Sequence, residues 1–270
     1  MMTKMTNDLK PAARPHWTAC LGEIRGQLAN LPRVLVASDF DGTLSPIVDR
    51  PADAALDPSA PVLLERLAAG FPRLQLAFLS GRGLVDLEPR LGRFTRNAIL
   101  AGNHGLEIRG QGMDWIHPGV SSGRIALAGI SEQLAELMRP LPGVEIEDKG
   151  ASVTLHYRRL ADENLQAFHN LLESVRIPDG IRLHEGKKVY EFRPRVDWNK
   201  GFAIRRIADE MGIEDRAILF LGDDVTDEDA FDELGPEAIT VHVGLPTDVS
   251  GARFSAADPA DVVRFLAAVF

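Results

Sequence analysis

The segment Val36-Ala-Ser-Asp39-Phe-Asp41-Gly-Thr43-Leu-Ser-Pro46 constrains the fold of this chain more than any other. A short apolar run, Val34 to Ala37, stops at two aspartates two positions apart, and Gly42 and Thr43 follow at once. An apolar run bounded by a turn signal reads as a buried strand, and Gly42 lets the chain turn at its end. Carboxylates at the C-terminal end of such a strand lie where open α/β sheets bind their ligands. Two acids that close repel unless a cation or a shared proton relieves them.

The same grammar recurs. Leu74 to Leu79 runs into Ser80-Gly81-Arg82, and Ala98 to Ala101 into Gly102-Asn-His104-Gly105. Ala217 to Leu221 runs into Gly222-Asp223-Asp224, and Ile239 to Val243 is a fifth run. Helical patterns separate them at Pro61 to Ala69, Lys200 to Met211, Glu228 to Leu234 and Pro259 to Val269, the last with Asp258 as its N-cap. Short buried strands alternating with amphipathic helices predict an α/β fold, a doubly wound, mostly parallel sheet covered on both faces.

The middle of the chain breaks that rhythm. Arg124 to Met138 and Asp162 to Val175 read as helices, while Glu145 to Glu147, Ser152 to Tyr157 and Lys188 to Phe192 alternate like strands. The expected division is a leader at 1–32 with a short helix over His16 to Leu31, a core at 33–108 and 195–270, and an inserted α+β module at 109–194. Gly105 to Gly112 and Arg193-Pro194-Arg195 are the expected crossings. Trp17, Leu21, Ile24 and Leu28 give the leader helix a packing stripe.

Composition removes whole classes of function. A net charge of -9 over 270 residues argues against a nucleic-acid backbone as partner. No apolar stretch approaches membrane-spanning length, and the polar N-terminus lacks the apolar core of a secretory signal. A single cysteine, Cys20, rules out an internal disulfide and points to a reducing, cytoplasmic compartment.

Three strand ends offer one chemistry. The first presents Asp39 and Asp41, the second Ser80, and the fourth Asp223 and Asp224 with Asp227 close behind. Several carboxylates suit Mg²⁺, which keeps waters and takes its remaining ligands from substrate phosphate. Ser80 can hold phosphate oxygens, and Lys200 can neutralise a transferring phosphoryl group as a point charge. Asp227, Glu228 and Asp229 also suit a helix N-terminus.

In that order, these residues resemble the four motifs of haloacid-dehalogenase-type phosphotransferases, over about Val34 to Phe270. The likeness narrows to the trehalose-6-phosphate phosphatases, with an inserted C2B-type cap. It rests on Asp39 to Pro46, Ser80-Gly-Arg82, Gly102-Asn-His104-Gly105, Lys149-Gly-Ala-Ser-Val-Thr-Leu-His156-Tyr-Arg158, Glu185-Gly-Lys187-Lys-Val-Tyr-Glu191-Phe-Arg193-Pro194, Trp198-Asn-Lys200-Gly201 and Gly222 to Phe231. Phe40, where tyrosine is frequent, and Phe192 are mild departures that remove no functional group.

The resemblance implies Mg²⁺-dependent hydrolysis of trehalose 6-phosphate in two steps. Asp39 is the expected nucleophile and Asp41 the acid and then the base. The expected Mg²⁺ ligands are the Asp39 carboxylate, the Asp41 carbonyl and Asp223. Ser80 and Lys200 hold phosphate oxygens, while Thr43, Asp224 and Asp227 support these groups from behind. His104, Lys149, Arg158, Glu185, Lys187 and Glu191 are the expected sugar-binding residues, with His156 a further candidate. Glu185, Lys187 and Glu191 fall on a shared side if their strand is regular. A monomer is expected, coupled to a trehalose-phosphate synthase on a separate chain. Competing readings are a phosphatase of sucrose phosphate or a mannosyl phosphate, a phosphomutase, and a non-catalytic sugar-phosphate sensor.

Overall fold

The protein is described by a computed structural model covering residues 14–186, 188–245 and 249–270. In chain order the elements are α1 (Trp17–Leu28), β1 (Val34–Asp39), α2 (Ala60–Ala69), β2 (Leu74–Leu79), α3 (Leu84–Leu91), β3 (Ala98–Gly102), β4 (Glu107–Gly110) and β5 (Met113–Ile116). There follow α4 (Pro118–Leu137), β6 (Glu145–Asp148), β7 (Val153–His156), α5 (Leu165–Glu173), β8 (Ile181–Gly186), β9 (Val189–Pro194) and α6 (Lys200–Met211). β10 (Ile218–Gly222), α7 (Val225–Leu234), β11 (Ile239–Val243), β12 (Phe254–Ala256) and α8 (Pro259–Val269) complete the chain. Two compact units emerge, Met1–Phe78 with Lys200–Phe270, and Leu79–Asn199.

In the first unit the strand order is β12-β11-β10-β1-β2. β1 pairs with β10, β10 with β11, and β11 with β12, all parallel. Every residue of β1, β10 and β11 is buried, as a parallel sheet covered on both faces requires. The expected mixed α/β class with a mostly parallel sheet is what the chain adopts.

The leader helix has a physical anchor. Trp17, Ile24 and Leu28 bury one stripe of α1, each fully buried aliphatic side chain contributing about 1.5–3 kcal/mol. Trp17 packs against Phe265 of α8 and donates to Asp261 Oδ2 at 3.0 Å, and His16 Nε2 lies 2.8 Å from the same oxygen. Asp258 caps α8 as expected, accepting from the Asp261 N–H at 2.7 Å.

The second unit is largely antiparallel. β3, β4 and β5 form a meander, so the segment from Gly105 to Gly112, expected as a crossing, holds a strand and a hairpin turn. Gly110 is required there: φ is 121°, and a Cβ would sit 2.3 Å from the Ala98 carbonyl oxygen. A four-stranded sheet, β6-β7-β9-β8, packs one face on α4 and α5 through Leu127, Ile130, Leu134, Val153, Leu155, Phe168 and Phe192. Its other face is polar and carries Glu147, Thr154, His184, Glu191 and Arg193. Among the described residues no helix is long and apolar enough to cross a membrane.

Candidate active site

Asp39 is the last residue of β1, and the chain folds back just beyond it. Leu44 N and Ser45 N both donate to the Phe40 carbonyl, at 3.0 and 2.9 Å, and Gly42 N donates to Ser45 O at 2.7 Å. Gly42 has φ 89°, and a Cβ would lie 2.0 Å from Asp223 Oδ2, so only glycine lets Asp223 approach this loop. Thr43 is buried and donates to Asp223 Oδ1 at 3.3 Å. Asp41 is partly exposed in the same loop, its backbone bridged to Ser45.

Lys200 opens α6 and is buried; its Nζ donates to Asp39 Oδ1 at 2.6 Å and to Asp227 Oδ1 at 2.7 Å. Asp227 is fully engaged, because its Oδ2 accepts the backbone N–H groups of Asp223 and Asp224, each at 3.1 Å. Asp224 is exposed and acts as the N-cap of α7, forming a capping box with Asp227. The structure therefore brings together Asp39, Thr43, Lys200, Asp223 and Asp227, and puts the Asp224 side chain to work on the helix end.

Oxygens of Asp39, Asp223 and Asp227 lie within 4.8 Å of one another. Burial pushes the Asp39 carboxyl well above its usual value, and the attraction of Lys200 does not compensate for burial and the nearby Asp227 and Asp223 charges. Burial, then the Asp227 carboxylate, pushes Asp223 up to about 7. Burial alone would lower Lys200, but Asp227 and Asp39 more than reverse it and keep the ammonium charged. Among the described residues, one ammonium beside two buried carboxylates and the half-buried Asp223 leaves a deficit of positive charge. A hard divalent cation with oxygen ligands fits that deficit. Both Asp227 oxygens are engaged, by Lys200 and two N–H groups, whereas Asp39 and Asp223 are each held through one oxygen and could hold such an ion through the other.

The second unit holds a separate polar cluster. Ser80 is buried; its Oγ accepts the Arg82 N–H at 3.1 Å, and its carbonyl accepts the His104 N–H at 2.9 Å. Asn103 and His104 both have left-handed backbones, φ 51° and 57°, a conformation rare outside glycine. The His104 ring lies over Gly81, where a Cβ would meet its Cε1 at 2.7 Å. Glu191 is buried, with His104 Nε2 at 3.4 Å, Lys149 Nζ at 3.8 Å and Arg193 at 3.9 Å. Burial would raise Glu191, but His104, then Lys149 and Arg193, hold it well below the usual carboxylate range. His156 pairs with Glu147 at 2.9 Å, and Arg158 is exposed just beyond β7.

One expectation needs correcting. Glu185 and Glu191 do not share a side of the sheet. They lie on different strands of a hairpin, and Glu185 stands opposite Tyr190 while Glu191 stands opposite His184. Gly186 pairs with Val189, and that register reverses the parity that a single strand would keep. Lys187 itself lies outside the described residues. Reading by sequence also missed Asn103, Ser152 and His184, which flank Glu191 and His104. Alternation along Ser152-Val-Thr154-Leu-His156 carried the signal for Ser152, since the apolar positions between face the core.

The profile of the trehalose-phosphatase family matches residues 37–261. The chain is 36% identical over 242 residues to a trehalose-phosphate phosphatase of Mycobacterium marinum, covering 87% of this chain and 61% of that protein. Against the trehalose-phosphate phosphatase of Mycobacterium tuberculosis it is 35% identical over 269 residues, 96% of this chain and 66% of that one. It thus spans about three fifths to two thirds of the length of these relatives. The C-terminal domain of Candida albicans trehalose-6-phosphate phosphatase superposes with a TM-score of 0.77 at 25% identity, covering 95% of this chain and 97% of that one.

Proposed function

The chain belongs to the trehalose-phosphatase family, and from that premise we propose that it hydrolyses trehalose 6-phosphate to trehalose and inorganic phosphate with Mg²⁺ as cofactor. The observation that carries this reading is the buried cluster of Asp39, Asp223 and Asp227 around Lys200. It offers a carboxylate nucleophile, a fixed ammonium and an unmet need for a cation at one sheet end.

In the first step an Asp39 oxygen forms a bond to phosphorus while the bond from phosphorus to the sugar oxygen breaks. Asp41 gives its proton to the departing sugar oxygen. In the second step water attacks the acyl phosphate, Asp41 takes the water proton, and Asp39 is regenerated. Asp39 and Asp223 would hold Mg²⁺, as would the Asp41 carbonyl. When bound, the ion offsets the repulsion between the carboxylate and the phosphate dianion. Lys200 and Ser80 hold non-bridging oxygens, and Asp227 keeps Lys200 aimed at Asp39. Glu191, His104 and Lys149 read sugar hydroxyls, because a site built to pair with hydroxyls discriminates against ligands that leave it unpaired. The cytoplasm is the proposed compartment, in line with a lone cysteine.

Phosphate release from trehalose 6-phosphate, sucrose 6-phosphate and glucose 6-phosphate tests this directly. Mg²⁺-dependent turnover of the first, favoured by about 100-fold or more in kcat/KM, is expected. Equal turnover of all three, or none of the first, overturns the reading.

A further inference from the structure

Ser152 is 1% exposed and sits between two acceptors, with its Oγ 2.9 Å from Glu191 Oε1 and 3.0 Å from Asn103 Oδ1. The orientation of the Asn103 amide is fixed, because its Nδ2 donates to Glu107 Oε1 at 2.6 Å. Asn103 Oδ1 is therefore an acceptor only, as is the ionised Glu191. A serine hydroxyl has one hydrogen, so it can serve one of them at a time.

The two acceptors belong to groups joined by a second route. Asn103 begins the left-handed turn that carries His104, and His104 Nε2 reaches back to Glu191 Oε2 at 3.4 Å. The turn is held by Asn103 N donating to Arg82 O at 2.7 Å, by His104 N donating to Ser80 O at 2.9 Å, and by the Trp198 indole donating to Gly105 O at 2.9 Å. Two consecutive left-handed residues without glycine persist only where surrounding bonds over-determine them.

We propose that Ser152 is a positioning residue whose hydroxyl turns from Glu191 to Asn103 when Glu191 accepts a ligand hydroxyl, so that binding at Glu191 tightens the turn carrying His104. This rests on the reading that Glu191 faces the sugar. Without ligand the charged carboxylate wins the hydrogen, since charge-assisted bonds are the stronger. A sugar hydroxyl donating to Glu191 replaces that bond and frees the serine hydrogen for Asn103.

Amide hydrogen exchange of the full chain with and without trehalose, the neutral product, tests the relay. In the wild type, saturating trehalose slows Asn103 and His104 by about tenfold, the scale of one hydrogen bond gained. In Ser152→Ala these amides exchange as in the wild type without ligand and no longer slow with it, while the amides of α4 are unchanged. Ser152→Cys, of similar volume and a weak donor, gives the same pattern if the alanine variant does not fold. On trehalose 6-phosphate, Ser152→Ala raises KM about tenfold with kcat held within about threefold, and adds nothing in a Glu191→Gln background. Independent, additive effects of the two substitutions overturn the relay, as does ligand protection of the turn that survives in Ser152→Ala. If wild-type protein binds no trehalose, the sugar reading fails and ligand-free exchange decides the relay. Slower exchange at 103–104 in Glu191→Gln, reversed by adding Ser152→Ala, then sustains it, and exchange at 103–104 that is unchanged or faster in Glu191→Gln overturns it.

Discussion

Two buried carboxylate sites in this molecule have opposite electrostatics. Around Asp39 in the first unit, the ammonium of Lys200 pairs with Asp39 and Asp227 beside a third carboxylate, Asp223, and the Asp39 and Asp223 carboxyls are pushed up. Around Glu191 in the second unit, one carboxylate is ringed by His104, Lys149 and Arg193 and receives the Ser152 hydroxyl, and it is held down. A carboxylate already supplied with positive charge has little left to do but hold position and pair with neutral hydroxyls. A carboxylate set short of positive charge is completed by a cation or a proton, and with the cation in place can react at an electrophile that brings more negative charge with it. Burial alone does not separate these roles, since Asp39 and Glu191 are 4% and 6% exposed. The count of neighbouring cations does.

The contrast breaks most sharply at Asp39. Asp39→Asn is expected to lower kcat by about 10⁴-fold or more while circular dichroism stays native, because the nucleophile is removed. Retained turnover in a folded variant would show that the charge-poor site is not the reacting one.

Cation removal comes next. In metal-free protein the folded-state value of Asp223, about 7, lies above its unfolded value of about 3.9. Its proton-linked stabilisation is complete below pH ~4 and is lost as pH rises through about 7. Thermal unfolding should therefore show Tm falling from pH 5 to pH 8 without metal. A fixed Mg²⁺ concentration should raise Tm more at pH 8, where the carboxylates are ionised and Kd is lower; at 100 times Kd the added stability is about 2.7 kcal/mol. A Tm increment independent of pH contradicts the charge deficit.

Glu191→Gln tests the other pole. Breaking a buried ion cluster is expected to cost about 3–5 kcal/mol in urea unfolding. It should raise KM for trehalose 6-phosphate while leaving hydrolysis of p-nitrophenyl phosphate, which has no sugar, within about threefold of wild type. Equal losses on both substrates would erase the division of labour. The smallest effect is expected at Asp224→Ala. Losing an N-cap costs about 1 kcal/mol, and turnover should fall by less than about tenfold. A loss as large as that of Asp39→Asn would make Asp224 part of the chemistry.

Much of this was legible in the chain. β1, β2, β10 and β11 are short apolar runs, so their existence could be read directly, as could the acids at the ends of β1 and β10. Lys200 and Asp227 were recoverable only from their order among the motifs, since nothing local distinguishes them from surface charges. Other elements were hidden for physical reasons. Pro89 lies inside α3 and masks the buried stripe of Leu84, Leu87 and Leu91. β12 is three residues long, too short for a periodic signal. The cap hairpin pairs Gly186 with Val189, and the Glu185 to Glu191 segment has no Asn-Gly or Asp-Gly signature, so alternation was carried straight through the turn. That slip put Glu185 on the wrong face and concealed His184. Asn103 and Ser152 are small polar residues whose importance comes from neighbours 49 and 39 residues away, which no window along the chain reveals.

The most direct measurement is a rapid acid quench of the enzyme during turnover of trehalose 6-phosphate, followed by peptide mass spectrometry. A phosphoryl adduct on Asp39, formed only with Mg²⁺ present and absent in Asp39→Asn, is the predicted result. Full turnover with no adduct at any quench time, or an adduct on another residue, would contradict the assignment of Asp39 as the nucleophile.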